Sequence, residues 1–129
     1  MILDSNFLLV PSQFRLDIFE ELTALLGHRI DPVILSPTYE ELVKMADRGA
    51  PKIRRYASLA LVLTKKCCLI PVERHAGEST DDVITRIAAE WKTPVATNDR
   101  GLRRRLRDVG VAVIYLRQKS RLEIDGNIP

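Results

Sequence analysis

The chain reads as an α/β domain in which a parallel sheet is covered by helices on both faces. Short apolar runs alternate with longer amphipathic ones from end to end, the pattern of strands joined by crossover helices. The 129 residues suffice for one domain with a single sizeable core, and no repeat, low-complexity tract or linker divides them.

Strands are expected over 1–4, 33–36, 67–72, 94–97 and 111–116, and helices over 14–27, 37–48, 52–65, 80–92 and 99–109. Ser36-Pro37 sets a capping hydroxyl before a proline at the first helical position. Pro51 opens the next helix in the same way, after Gly49 ends the one before it. Thr80 is placed to cap the helix beginning Asp81-Asp82, and Asn98 the helix beginning at Asp99. Gly110 closes that helix ahead of the fifth strand, and 117–129 reads as an extension of the strand and a tail.

Composition narrows the class. Apolar residues at 46% and charged residues at 29% are ordinary for a globular protein. Aromatics at 5% leave the core to Leu, Ile, Val and Ala. A net charge of +3 and a pI near 9.1 suit a polyanionic partner without requiring one. Cys67 and Cys68 are adjacent in an apolar stretch. They lack the spacing of a disulfide framework or zinc site and read as small apolar residues of a buried strand. Unpaired cysteines and the lack of a signal peptide point to the cytoplasm, and no apolar run is long enough for a membrane span.

The carboxylates carry the chemistry. Ligands of an open parallel sheet bind beyond the carboxyl ends of its strands. Asp4 ends the first strand, Glu40 and Glu41 follow the second, Asp81 and Asp82 follow the third, and Asp99 follows the fourth. Acidic groups gathered at one sheet edge repel one another, and a cluster of hard oxygen ligands suits Mg²⁺ or Mn²⁺. Asp81, Asp82 and Asp99 also have an ordinary explanation, since aspartate is favoured at helix N-termini. Asp4 has none, because its setting in Met-Ile-Leu-Asp-Ser-Asn-Phe-Leu-Leu is apolar and demands partners. On the helix from Pro37, Leu42, Met45 and Ala46 form the buried stripe. Glu41 lies beside it, while Glu40 lines up with Lys44 and Asp47 toward water. Ile84, Ile87, Ala88 and Trp91 form the stripe of the helix from Asp81. Asp81 shares that side and Asp82 lies nearer Arg86, but both stay candidates so close to a helix end.

These residues also carry a family resemblance. Leu3-Asp4-Ser5-Asn6-Phe7-Leu8-Leu9 resembles the opening motif of PIN-domain nucleases, and Ser36-Pro37-Thr38-Tyr39-Glu40-Glu41-Leu42 their second acidic motif. Thr80-Asp81-Asp82-Val83-Ile84, running on to Ala88-Ala89, resembles the third, and Ala96-Thr97-Asn98-Asp99-Arg100 the fourth. The four stand in register over essentially the whole chain. The resemblance implies a three-layer α/β/α sandwich with a parallel five-stranded sheet in order 3-2-1-4-5. It implies metal-binding carboxylates at Asp4, Glu41, Asp81 or Asp82, and Asp99, with ungapped alignment of the third motif favouring Asp81. Asn6 and Thr97 are implied as supporting polar groups. The implied activity is RNA hydrolysis by metal-activated water with one or two Mg²⁺ or Mn²⁺ ions. Neither cysteine nor His28 or His75 is needed for it. Gly101 departs from relatives that often carry an acidic residue there.

Asp99 is followed by Arg100, Arg103, Arg104, Arg105 and Arg107. Solvation and cations near a helix C-terminus account for part of this run. Its start one residue from a proposed ligand makes phosphate-backbone contact the more economical reading. Arg117, Lys119 and Arg121, or Lys52, Arg54 and Arg55, extend the basic surface. Few aromatics are available for base stacking, so RNA recognition by shape, backbone or a partner is expected. The segments 6–14, 17–22, 96–107 and 113–121 look most like archaeal relatives of PIN nucleases that process pre-ribosomal RNA. That resemblance implies a ribosome-assembly partner. A VapC-type toxin held by an antitoxin is the second reading, and a catalytically inactive RNA-binding scaffold the third. The family resemblance also allows a homodimer.

Overall fold

The computed structural model describes residues 1–128. Strands β1 (Ile2–Leu3), β2 (Val33–Leu35), β3 (Cys68–Ile70), β4 (Val95–Ala96), β5 (Val113–Arg117) and β6 (Arg121–Asp125) form one sheet. Its order is β3-β2-β1-β4-β5-β6. The first five strands are parallel and stand in the expected 3-2-1-4-5 order. The sixth is a correction: 121–125 is not a tail but an antiparallel edge strand, with Val113 opposite Asp125 and Arg117 opposite Arg121. Residue 129, the end of the expected tail, lies outside the described residues.

The helices are α1 (Ser5–Leu8), α2 (Val10–Phe14), α3 (Ile18–Leu26), α4 (Ser36–Arg48), α5 (Pro51–Leu63), α6 (Thr80–Trp91) and α7 (Arg100–Asp108). Successive strand residues point to opposite faces, and the two cores follow that alternation. Leu3, Ile34, Ala96 and Ile114 pack with Phe7, Leu22, Leu42 and Ala57 from α1, α3, α4 and α5. Ile2, Leu35, Val95 and Val113 pack with Ile84, Ile87, Leu102 and Leu106 from α6 and α7. Two apolar faces on one sheet make the three layers.

The helix expected over 14–27 starts only at Ile18, because the Asp17 carboxylate accepts from the N–H groups of Phe19 (3.1 Å) and Glu20 (3.2 Å). Two short helices, α1 and α2, fill the space before it, and Arg15 in the left-handed region (φ 53°) ends α2. Three expected caps move by one residue. Ser36 caps nothing; its hydroxyl donates to the Val72 carbonyl (3.3 Å) and accepts from Val72 N (3.0 Å), tying β2 to the loop after β3. Ser79, not Thr80, caps α6, and Asp99, not Asn98, caps α7. Cys67 and Cys68 are not in a buried strand: β3 is a sheet edge, where Cys68 and Leu69 are exposed. Trp91 is exposed as well, and Val83 takes its place in the core.

The β5–β6 turn escapes sequence signals for a physical reason. Gln118 (φ 53°) and Lys119 (φ 59°) both hold left-handed backbone in a tight turn closed by Ser120 N on the Arg117 carbonyl (3.2 Å). Such turns ordinarily carry Asn-Gly. Asp125 latches the hairpin to α7, pairing with Arg103 Nε (2.8 Å) and Arg107 Nε (3.3 Å). Gly126 (φ 104°) lets the backbone pass Arg107, since a Cβ there would collide with its guanidinium. Replacing Gln118-Lys119 with Asn-Gly should therefore stabilise the fold by about 1 kcal/mol. Urea unfolding tests this, with a higher midpoint expected at unchanged slope.

Candidate active site

The structure brings Asp4, Glu41, Asp81 and Asp99 to the carboxyl edge of the sheet. Asp4 leaves β1 directly into α1 and is only 4% exposed. Its Oδ1 accepts from Ser5 N (2.8 Å) and its Oδ2 from the Thr97 hydroxyl (2.7 Å). Thr97, fully buried at the end of β4, lies 3.3 Å from Asn6 Oδ1 and accepts from Asp99 N (3.1 Å). Asn6 Oδ1 also accepts from Asn98 N at 3.0 Å, so Thr97 bonds a carboxylate directly and Asn6 reaches the site through Thr97 and the Asn98 backbone. Glu41 is turned inward from α4 and accepts from the Ser5 hydroxyl at 2.6 Å, while Glu40 is exposed.

Asp81 and Asp82 separate here. Ser79 and Asp82 form a capping box, the Ser79 Oγ accepting from Asp82 N (3.1 Å) and Asp82 Oδ2 from Ser79 N (2.8 Å). Arg105 holds the other Asp82 oxygen at 2.8 Å. Those contacts lower the Asp82 pKa, through the Ser79 backbone first and then Arg105. Asp81 lacks such partners and faces the cluster. Its pKa is raised, mainly by burial and then by repulsion from Asp99 and Glu41. The loop leading to α6 is stapled by Arg86, which bonds both Glu78 oxygens (2.9 and 3.0 Å) and the Glu73 carbonyl (2.8 Å).

Asp99 uses Oδ1 to cap α7 through Leu102 N (3.0 Å), and its side chain is exposed. A Cβ at Gly101 would stand 3.2 Å from that oxygen, so a side chain there would press on Asp99. Burial pushes Asp4 up to about 6, against the bonds from Thr97 and Ser5, with repulsion from Asp81 and Glu41 adding to the rise. Among the described residues no three of these groups close into a finished metal cage. The set is an open, mutually repelling cluster of hard oxygen donors.

Residues 1–119 match the family described as the PIN like domain. The chain belongs to that family. It is 30% identical to Ribonuclease VapC4 of Methanocaldococcus jannaschii, over 97% of this chain and 95% of that one. It is 29% identical to the rRNA-processing protein fcf1 of Schizosaccharomyces pombe over 95% of its own length, spanning 62% of that relative. The solved PIN domain endonuclease Utp24 superposes with a TM-score of 0.80 at 26% identity, covering 98% of this chain and 91% of that one.

Two side chains of this PIN-like site were not foreseen. Ser5 stands in the first motif with no role of its own, yet its hydroxyl donates to Glu41. Asn98 was expected to cap a helix, yet its Oδ1 accepts from Leu116 N (2.9 Å) and joins the site to β5. Beside them a cavity of about 410 Å³ is lined by Thr97, Asn98, Arg100, Arg103, Tyr115, Leu116, Arg117 and Gln118. It shares Arg100 and Arg103 with a second of about 310 Å³ along α7. It shares Asn98, Leu116 and Gln118 with a third of about 420 Å³ that reaches Asn6 and Lys119. A larger cavity of about 440 Å³ lies at the opposite end of the sheet and has no acidic lining residue, so it is not the carboxylate site.

The arginine run is divided. Arg103 and Arg107 hold Asp125 and Arg105 holds Asp82, leaving Arg100 and Arg104 exposed without an ion-pair partner among the described residues. Arg103 also covers the Tyr115 ring at 3.6 Å.

The buried Asp4 yields a stability prediction. A carboxyl whose folded pKa is raised to about 6 stabilises the fold fully below its unfolded value, and that contribution is lost as pH rises through 6. Asp4→Asn should therefore raise the melting temperature at pH 7.5 in chelator, by an amount corresponding to about 2–3 kcal/mol. The Thr97 hydroxyl can rotate to accept from the new amide. The gap should close toward pH 4 in differential scanning calorimetry.

Proposed function

We propose that this PIN-like chain is an Mg²⁺- or Mn²⁺-dependent endoribonuclease acting in RNA processing. The observation that carries the proposal is the meeting of Asp4, Glu41, Asp81 and Asp99, from four separate segments, at one sheet edge. An all-oxygen, anionic, open set fits an ion such as Mg²⁺, which keeps several waters and takes few protein ligands. Asp4, Glu41, Asp81 and Asp99 would hold it. Bound there, one or two ions supply the positive charge that polarises a phosphodiester and acidifies water.

The chain's own groups do the rest. Thr97 and Ser5 fix the Asp4 carboxylate, and Asn6 holds the Asn98 backbone beside Asp99. Arg100 and Arg104 offer guanidinium groups for phosphates of a strand lying in the groove, while Arg103 and Arg107 line it as parts of the latch. Tyr115 has one ring face covered by Arg103, which favours backbone over base recognition. The four acidic residues argue against an inactive RNA-binding scaffold.

Fcf1, by name an rRNA-processing protein, supports the processing role and with it a ribosome-assembly partner, and Utp24, by name an endonuclease, supports cleavage within a strand. VapC4, similar over nearly the whole of both chains, supports a second reading: a toxin ribonuclease held by an antitoxin. A small antitoxin gene beside this one favours the second. Cytoplasmic residence suits both, and no helix among the described residues is long and apolar enough to cross a membrane.

Asp4→Asn and Asp99→Asn should each abolish Mn²⁺-dependent cleavage of structured and single-stranded RNA with an unchanged circular dichroism spectrum. Full activity in both variants overturns the assignment. In filter binding, Arg100→Gln with Arg104→Gln should weaken RNA affinity and flatten the log–log salt slope by about 2. Arg105→Gln should leave that slope unchanged, because its charge is committed to Asp82.

A further inference from the structure

We infer that Ser5 is a positioning residue that presets Asp4 and Glu41 as a pair of cation ligands. This rests on the metal-centre reading above. Ser5 is only 3% exposed, yet both of its hydrogen-bond donors reach a carboxylate. Its N–H donates to Asp4 Oδ1 (2.8 Å) and its hydroxyl to Glu41 Oε1 (2.6 Å). The shorter distance lies at the strong end of the range for O–H···O bonds.

A helical serine commonly satisfies its hydroxyl on a nearby carbonyl of its own helix. Ser58, exposed on α5, does so, bonding the Arg54 carbonyl at 2.8 Å. Ser5 instead crosses to a side chain 36 residues away. Glu41 depends on that contact more than Asp4 does. Asp4 has Thr97 as a second donor, whereas Glu41 makes no other side-chain hydrogen bond among the described residues. A glutamate with three free torsions, facing two other carboxylates, otherwise swings toward water. The Ser5 hydroxyl opposes that swing and keeps one Glu41 oxygen beside Asp4 before any ion arrives. Its effect on cation binding is therefore transmitted through Glu41, and a threonine hydroxyl can replace it.

The test is calorimetric titration of chelator-treated protein with Mn²⁺, comparing wild type, Ser5→Ala, Ser5→Thr, Glu41→Gln and the Ser5→Ala/Glu41→Gln double variant. Urea unfolding in chelator checks each fold. Ser5→Ala should weaken Mn²⁺ binding by about 10-fold, as loss of a group orienting a metal ligand does. Ser5→Thr should stay within about 3-fold of wild type, well inside that loss. In the Glu41→Gln background Ser5→Ala should add nothing, since a residue acting through another shows no separate effect. Ser5→Cys, close in size with a much weaker donor, repeats the alanine arm if that variant unfolds.

Wild-type affinity in folded Ser5→Ala overturns the inference and leaves the metal site standing. So does a full additional loss in the Glu41→Gln background, or a folded Ser5→Thr as weak as alanine. A wild-type protein that takes up no Mn²⁺ overturns the metal-centre reading and this inference with it.

Discussion

One buried hydroxyl, on Thr97, joins the parts of the site that come from opposite ends of the chain. It donates to Asp4 at 2.7 Å, lies beside the Asn6 side chain and accepts from the Asp99 backbone. Asp4 could not otherwise stay where it is. A carboxylate with 4% exposure loses its water, and only donors placed inside the fold make its charge tolerable. The sheet order supplies them. β4 lies between β1 and β5, Asp4 N bonds the Ala96 carbonyl, and Thr97 N bonds the Ile114 carbonyl, each at 3.0 Å. Even so, burial outweighs the bonds and leaves Asp4 near pKa 6, a group whose ionised form the fold holds at a disadvantage until another positive charge arrives.

Helix α7 supplies positive charge to the same edge by dividing its cations. Leu102 and Leu106 anchor it in the core, so its remaining surface is free to be basic. Arg105 bridges to Asp82 and also eases the repulsion at Asp81. Arg103 and Arg107 meet on Asp125 and hold the β5–β6 hairpin, which forms the far wall of the groove. Loss of Arg103 therefore loosens that wall and uncovers Tyr115 as well as removing a cation. Substitutions at Arg100 and Arg104 separate phosphate binding from groove architecture in a way that Arg103 and Arg107 do not.

The layered sheet was legible because period-two apolar strands and period-3.6 helices are local patterns, and the register of four acidic motifs fixed the strand order through family likeness. The sixth strand was hidden by a turn whose left-handed residues, Gln118 and Lys119, are not those that announce a turn. Preference for Glu41 over Glu40 followed from helix geometry alone. Asp81 and Asp82 could not be separated that way, because the answer depends on which hydroxyl caps α6. With Ser79 as cap, the third helical residue is Asp82, which bonds back to the cap and leaves Asp81 to the cluster. With Thr80 as cap, the third residue would have been Val83 and no such bond could form. The partners of Ser5 and Asn98 were illegible for another reason: Glu41 and Leu116 are reached across the fold rather than along the chain.

Those distances imply when the site can exist. Asp4 and Thr97 are 93 residues apart, and Ser5 and Glu41 are 36 apart, so no single helix or hairpin holds two complete parts of it. The carboxylates repel one another without a cation, and their hydrogen bonds to Ser5, Thr97 and Leu102 do not by themselves hold the layers together. Cohesion has to come from the apolar faces on either side of the sheet, which bury Ile2, Leu3, Ile34, Leu35, Val95, Ala96, Val113 and Ile114 almost completely. Strands β1 and β4, which lead into Asp4 and Asp99, are thus among the most firmly packed parts of the sheet. A short β1 followed at once by the buried Asp4 is the clearest instance: the same two residues, Ile2 and Leu3, serve both cores and aim the carboxylate.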